Sequence, residues 1–248
     1  MLILRKDSLL MANQIRDEII RQLKNHQDLP YREFAKKLTP NTGRIIGIRI
    51  PLLRQISKEI LLSDPEAFLE QTKHIYYEED ILMAMVTAGI YRTDIDQMHW
   101  IRKCTSIISN WAVCDTLASS LNHHMQNESA LYQFVLACLR SSSEFEQRFG
   151  LVCLKTLFLI QHEDEIPLLL HSVHYNGYYS LMAAAWLIAE WACTNPDAAY
   201  ALILDFDAYP SIQKKAIQKI QDSRRISAFQ KKRFADLRTQ SADTDQQS

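Results

Sequence analysis

Glycine and proline are scarce in this chain, with five and seven among 248 residues. Because both residue types interrupt regular structure, their scarcity predicts long uninterrupted elements. No apolar run is long enough to cross a bilayer, and the start, MLILRKDSLLMANQ, lacks the long apolar region of a signal peptide. We therefore expect a cytoplasmic protein without membrane contact, whether translation begins at Met1 or at Met11.

Metal-binding and common catalytic motifs are also missing. The five cysteines have no metal-type spacing, and each lies in an apolar helical run, which predicts free thiols used as small buried hydrophobic residues. We find no glycine-rich phosphate loop, no zinc-protease helix, and no serine or cysteine in an identifiable nucleophile context. The sequence therefore predicts no metal site and no cofactor.

The basic residues are concentrated in two places, although the net charge is only −1. Residues 31–60 contain seven lysines and arginines against two acids, and residues 214–238 contain nine against two. Such clusters are usually solvated helix faces, but they could also be two parts of a grip on a polyanion.

Nearly every segment has helical periodicity, and none has the alternation of a strand. The first two helices are expected over 8–25 and 30–38, followed by a loop with the sequence TPNTGRIIGIRI and by helices opening at Pro51 and Asp64. First helices of successive pairs then begin 32 to 35 residues apart, near Tyr77, Asn110, Ser143, Tyr178 and Pro210. Second helices are expected to begin near Asp94, Asn127, His162, Asn195 and Arg225.

A helix-pair period of this length is typical of repeat proteins whose stacked pairs share one core. We predict an all-α fold, an α-solenoid of stacked helix pairs forming a concave groove. The prediction is one helical-repeat domain over residues 1–238 and a polar, disordered tail over 239–248.

The stretch NWAVCDTL places Trp111 and Asp115 on one face of its helix, because residues four apart are neighbours on a helix surface. The opposite face carries an apolar stripe of Val113, Leu117 and Leu121 that should pack into the core. An aromatic ring and a carboxylate therefore share the face that packing does not require.

Counting along successive first helices places Arg148 and Lys215 at the position of Asp115, so the repeat should bring them to one concave wall. Trp186 and Glu190 repeat the spacing of Trp111 and Asp115. For either tryptophan alone, core filling is the ordinary interpretation.

A cation-lined groove suits the phosphates of a nucleic acid, and aromatic faces pack against sugars or bases. A carboxylate beside phosphates is useful only where positive charge develops. Breaking an N-glycosidic bond builds oxocarbenium charge on the sugar, which a fixed carboxylate stabilises. A base already made cationic by alkylation would leave with little help from an acid.

The chain resembles the AlkD-like DNA alkylation repair family, bacterial alkylpurine DNA glycosylases built of HEAT-like helical repeats. The resemblance lies in the blocks YREFAKKLTPN, IGIRIPLLRQISKEI, NWAVCD, SSSEFEQRFGLVCL, MAAAWLIAE and IQKKAIQKIQDSRRIS. It implies a monofunctional glycosylase that releases N3- or N7-alkylated purines and leaves an abasic site. It also implies that Asp115 is the catalytic carboxylate, that Trp111 and Trp186 flank the sugar, and that Arg148 holds the backbone.

The partner implied by the resemblance is double-stranded DNA with alkylated bases. A solenoid with basic ends can work as a monomer, which is the oligomeric state we expect. The residues expected to hold DNA are Arg148, Lys155, Lys214, Lys215, Lys219 and Arg49. The chain departs from the family pattern at Ala189 and Glu190, where a basic residue would be expected. A non-catalytic DNA-binding repeat protein and a protein-binding helical scaffold therefore stay open as alternatives.

Overall fold

The computed structural model describes residues 14–39, 42–91, 93–121, 125–206 and 209–244, which form two compact units, Met1–Leu131 and Tyr132–Ser248. In these described ranges the structure is helical, and the one β-type pairing there is an isolated bridge between Arg44 and Tyr76. The all-α prediction is confirmed. Met1 and Met11 lie outside the described residues.

Unit 1 is built around helices that pack side by side in chain order. Its helices are α1 (Ile15–Asn25), α2 (Leu29–Leu38), α3 (Ile50–Leu62), α4 (Pro65–Gln71), α5 (Tyr77–Gly89), α6 (Gln97–Ile107) and α7 (Trp111–Ser120). The unit boundary falls inside α8 (Glu128–Leu139). Helix α5 packs against α3 on one side and α7 on the other, and it is buried from Tyr77 to Ala88 except at Asp80.

Unit 2 repeats this arrangement. Its further helices are α9 (Glu144–Cys153), α10 (Ile166–Ser172), α11 (Tyr178–Thr194), α12 (Pro196–Asp205), α13 (Pro210–Asp222) and α14 (Ala228–Thr244). A π-helical turn, Leu154–Phe158, continues α9, and a short 3₁₀ turn, Glu163–Glu165, precedes α10. Helix α11 packs against both α9 and α13, so each unit has the stacked helix pairs of an α-solenoid.

Side-chain caps mark the starts of two of the first helices, α7 and α9. The side chain of Asn110 accepts hydrogen bonds from the backbone N–H groups of Ala112 and Val113, and Ser143 caps α9 through Glu146 N–H. All five first helices begin within one residue of the predicted position. Three second helices begin three or four residues later than expected, and α14 continues helically past Arg238.

Two buried carboxylates, Glu78 and Glu79, lie at the start of α5, and Glu78 holds the loop between α2 and α3. Glu78 is fully buried and accepts hydrogen bonds from the backbone N–H groups of Ile46, Gly47 and Ile48. Gly47 has φ +100°, and a Cβ there would lie 2.6 Å from the carbonyl oxygen of Asp28. The loop between α2 and α3, which sequence analysis predicted, is therefore a fixed segment that only glycine allows at its centre.

All five cysteines are free thiols, as predicted. Four of them are buried, which confirms that part of the prediction, whereas Cys193 is partly exposed. Across the part of the chain that the structure describes, no helix has the length and apolar character needed to cross a membrane. The same residues contain no group of three or more His, Cys, Asp or Glu side chains placed to hold a metal ion.

Candidate functional site

The predicted division of α7 into a core face and an open face is confirmed. Val113 and Leu117 are 1% and 0% exposed, whereas Trp111 and Asp115 are partly exposed. Trp111 and Asp115 line one cleft of about 300 Å³, which we call the Asp115 cleft. Its other lining residues come from α2, α3 and α5 and from the rest of α7: Tyr31, Phe34, Ala35, Leu38, Thr39, Ile50, Arg54, Tyr77, Met85, Ala112, Thr116, Ser119 and Ser120.

Trp111 is fixed in this cleft by a contact between distant parts of the chain. Its indole Nε1–H donates a hydrogen bond of 3.0 Å to the carbonyl oxygen of Leu38, in the last turn of α2. Carbonyl groups in a last helical turn have no partner within the helix, and the indole supplies one for Leu38. The same bond sets the orientation of the ring beside the cleft.

The Asp115 cleft holds one carboxylate and one guanidinium among aromatic, apolar and hydroxyl-bearing side chains. Asp115 is the only acid that lines it and Arg54 the only cation, within the described residues. Burial raises the pKa of the Tyr31 and Tyr77 hydroxyls, so both phenols stay protonated at neutral pH. Asp115 is therefore the group in this cleft that can face a developing positive charge.

The part of the cleft that α2 supplies is not predicted from the sequence. Phe34 and Leu38 are 54% and 47% exposed, although their spacing is that of a core-facing stripe. Tyr31 lies one turn earlier in the same helix. Helical spacing alone cannot distinguish an apolar stripe that packs from one that lines a cleft, and the incomplete burial of this stripe becomes visible only in the structure.

Arg49 lies beside this region but is engaged locally. Its Nε donates to the Asp28 carboxylate at 2.9 Å, and its guanidinium carbon lies 5.0 Å from the centroid of the Tyr31 ring. Its side chain is 62% exposed, so the guanidinium remains accessible to a ligand.

In unit 2, two lysine ammonium groups lie near the indole ring of Trp186. Lys155 Nζ is 3.8 Å from the centroid of the indole ring, and Lys219 Nζ is 5.8 Å from it. Such cation–π contacts hold an ammonium group over an aromatic face. Lys155 belongs to the π-helical turn, and turns of this kind are frequent at functional sites. Three residues that sequence analysis selected are therefore neighbours in unit 2.

Arg148 is less accessible than sequence analysis expected. Its residue is 6% exposed, and its Nη1 donates a hydrogen bond of 2.9 Å to the carbonyl oxygen of Tyr179. Through this bond Arg148 joins α9 to the first turn of α11. A structural contact thus accompanies any role that this guanidinium has toward a ligand.

At Ala189 and Glu190, where the chain departs from the family pattern, one side chain is buried and the other forms an ion pair. Ala189 is 6% exposed within α11, and the carboxylate of Glu190 accepts a hydrogen bond of 2.5 Å from Nη2 of Arg225. Glu190 raises the pKa of Arg225, as expected for a close ion pair. Arg225 therefore offsets the negative charge of Glu190.

Lys214 and Lys215 are both exposed on α13, and Lys215 donates to the side chain of Gln218 at 3.2 Å. Helix α13 begins at Pro210 with Tyr209 as its cap residue, so Lys214 has the position that Asp115 has in α7. Sequence analysis had assigned that position to Lys215, one residue too far.

The model of one protein family, described as DNA alkylation repair enzyme, matches residues 19–203, about three quarters of the chain. No match is found among curated proteins. The matched range includes Trp111, Asp115, Arg148 and Trp186. The chain therefore belongs to the DNA alkylation repair enzyme family.

Proposed function

We propose that this protein is a monofunctional DNA glycosylase that releases cationic alkylated purines. The observation that carries the proposal is the Asp115 cleft, in which a partly exposed carboxylate lies with an oriented tryptophan among aromatic and apolar side chains. Family membership supplies the general role in repairing alkylated DNA. The cleft supports a particular reaction within that role.

An N3- or N7-alkylated purine carries positive charge. It therefore leaves as a neutral base when the bond between its glycosidic nitrogen and C1′ of the sugar breaks. The bonding electron pair goes to the base, and positive charge is left on the sugar. The Asp115 carboxylate stabilises that oxocarbenium charge and orients a water molecule toward C1′. The water loses a proton as it adds, giving the free base and an abasic site in an unbroken strand.

Trp111 provides a flat apolar surface against which the deoxyribose packs. Its hydrogen bond to Leu38 keeps the ring from rotating away, so the surface is in place before DNA binds. A positioned sugar needs less reorganisation on the way to the transition state.

Unit 2 is proposed to hold the DNA. Lys214 and Lys215 offer exposed ammonium groups for phosphates, and Lys155 and Lys219 lie at Trp186, whose aromatic face is proposed to contact a nucleotide. Arg148 is proposed to contact the backbone while it holds α9 to α11. Each phosphate neutralised in this way makes binding more sensitive to salt.

A second candidate is a DNA-binding protein without glycosylase activity. It is favoured by the Ala189 and Glu190 departure, because Arg225 cancels the charge of Glu190 but adds no free positive charge there. This candidate shares the predicted salt-dependent DNA binding and differs in releasing no base.

Incubation of the protein with duplex DNA treated with a methylating agent tests the proposal. We expect free N3- or N7-methylpurine, detected by chromatography, above the amount released spontaneously, and abasic sites that break only after alkali. Salt-sensitive binding without base release would establish the second candidate instead. Absence of both would point to the protein-binding scaffold.

Replacing Trp111 tests the oriented ring. Trp111→Phe keeps an aromatic face but loses the hydrogen bond to Leu38, a loss that we expect to slow base release by about fivefold, since such bonds contribute about 1 kcal/mol. Trp111→Ala should be slower still, because the sugar then lacks its packing surface. Single-turnover rates measure both, and equal rates for the two variants would remove the ring face from the mechanism.

A further inference from the structure

A second and larger cleft in unit 1 is not used by the proposed chemistry. It has a volume of about 630 Å³ and lies between the end of α1, one face of α2 and the loop after α2. We call it the α1–α2 cleft. Its lining residues are Lys24, Gln27, Arg32, Lys36, Thr39, Thr42, Gly43, Arg44, Ile45, Ile46 and Tyr76.

Helix α2 separates this cleft from the Asp115 cleft. Arg32 and Lys36 lie four residues apart on the face that lines the α1–α2 cleft, whereas Phe34 and Leu38, also four apart, line the Asp115 cleft. Thr39 lines both clefts. One helix thus presents a cationic face to one cleft and an apolar face to the other.

The charge in the α1–α2 cleft has one sign. Four cations line it, namely Lys24, Arg32, Lys36 and Arg44, and no acid does within the described residues. Glu33 partly offsets two of them, at 2.8 Å from Lys36 and 3.8 Å from Arg32. Lys24 Nζ lies 5.0 Å from the centroid of the Tyr76 ring, and its ammonium lowers the pKa of the Tyr76 hydroxyl, with a smaller contribution from Arg44.

The guanidinium of Arg32 has an unused donor. Its Nε is buried and makes no hydrogen bond in the described residues, since the nearest paired carboxylate, that of Glu33, lies 3.8 Å away. A buried donor without an acceptor is unfavourable, and an anionic oxygen is the acceptor that best matches a guanidinium.

The floor of the cleft is rigid. Arg44 exchanges backbone hydrogen bonds with Ile75 and Tyr77, at 3.1 and 2.9 Å. The Gln27 side chain donates to the carbonyl oxygen of Ile46 at 2.7 Å. The Glu78 carboxylate accepts hydrogen bonds from the backbone N–H groups of Ile46 and Gly47. A ligand would therefore meet cations whose backbone is already positioned.

We propose that the α1–α2 cleft binds a phosphate group, carried either by a DNA strand or by a free mononucleotide. Arginine and lysine around a rigid concave floor suit the tetrahedral oxygens of phosphate, and the volume leaves room for the attached sugar. The inference rests on the proposed function only in taking DNA as the polymer. It requires no glycosylase activity.

The test is binding of the full chain to a fluorescent, undamaged duplex, measured by polarisation at several salt concentrations. The Lys24→Gln, Arg44→Gln double variant removes two exposed cations of the cleft. We expect its affinity to fall about tenfold or more and the slope of log K against log salt to lose about two units. The charge-matched control is Lys58→Gln with Lys73→Gln, two exposed lysines outside the cleft, and it should retain nearly all binding.

A second arm titrates the wild type and the same variants with deoxyadenosine monophosphate by calorimetry. Heat of binding seen only with an intact cleft would assign the site to a free nucleotide, and a loss of duplex affinity alone would assign it to DNA. Equal duplex and nucleotide binding by the double variant and the control would overturn the proposal. Lys24→Glu should weaken duplex binding further than removal of the same charge, because it reverses the charge at an exposed position. Because undamaged DNA is no substrate, these outcomes are independent of base release.

Discussion

Asp115→Asn is expected to lower the single-turnover rate of base release by about 10²–10³-fold, the range found when a preorganised electrostatic group is removed from an active site. Asparagine has nearly the shape of aspartate but no charge, so the cleft around Trp111 should keep its geometry. The variant cannot stabilise positive charge on the sugar. Release of methylated base from duplex DNA under single-turnover conditions measures the effect.

Binding gives this prediction a second, opposite signature. A carboxylate near DNA repels phosphates, so its removal should leave the affinity for undamaged duplex unchanged or make it slightly tighter. A fall in rate without a fall in affinity identifies an interaction made mainly in the transition state. Loss of both together would instead indicate damage to the fold.

Glu66→Gln is the matched control, because Glu66 is an exposed carboxylate of unit 1 on α4 and does not line the cleft. It should release base at the wild-type rate. Equal rates for Asp115→Asn and Glu66→Gln would remove Asp115 from the mechanism and leave the cleft as a binding surface.

The starts of the first helices could be predicted because their signals are local. Asn110 and Ser143 cap their helices with their own side chains, and Pro210 occupies the first position of α13. The starts of the second helices are less clearly marked in the sequence. Asp94 and Asp96 are equally plausible caps, and the structure uses Asp96 for α6.

The open face of α7 could also be predicted, because the buried stripe of Val113 and Leu117 fixes the helix register. The partners of that face could not. Trp111 donates to Leu38, 73 residues earlier, and no periodicity encodes that contact. For Arg148 the sequence was misleading in the other direction. Its charge predicted an accessible stripe, whereas its guanidinium donates a hydrogen bond that joins two helices. The π-helical turn at Lys155 likewise departs from the regular count on which register arguments depend.

The second large effect concerns stability and involves two residues that line neither cleft. Arg16 and Glu79 form a two-point ion pair in unit 1, at 2.6 and 2.9 Å, with Glu79 fully buried and Arg16 6% exposed. Glu79 also accepts hydrogen bonds from the backbone N–H groups of Lys73 and Ile75. One carboxylate thus joins α1, the loop before α5 and α5 itself.

Glu79→Gln is expected to reduce the free energy of unfolding by about 3–5 kcal/mol, because it leaves the buried Arg16 guanidinium with only the exposed carboxylate of Asp17 as a counter-charge. Urea unfolding followed by circular dichroism measures this loss. Asp17→Asn is the control, since Asp17 is the exposed second partner of Arg16, and its replacement should change stability little. A small effect of Glu79→Gln would mean that water reaches Arg16 and that the pair is not effectively buried.

The pH dependence of the same pair has a definite sign. Burial alone would raise the pKa of Glu79, but the hydrogen bond from Arg16, followed by that from the backbone of Lys73, brings it below its ordinary value. A carboxyl whose pKa is lower in the folded state stabilises the fold above its unfolded pKa of about 4.3 and loses that contribution as pH falls through the folded pKa. Wild-type stability should therefore decline on acidification below that range, and Glu79→Gln should decline less steeply. Parallel pH profiles for the two proteins would show that other carboxylates govern acid unfolding.

The double variant Arg16→Met, Glu79→Leu should recover part of the stability lost in Glu79→Gln at every pH, because it removes the buried guanidinium together with its carboxylate partner.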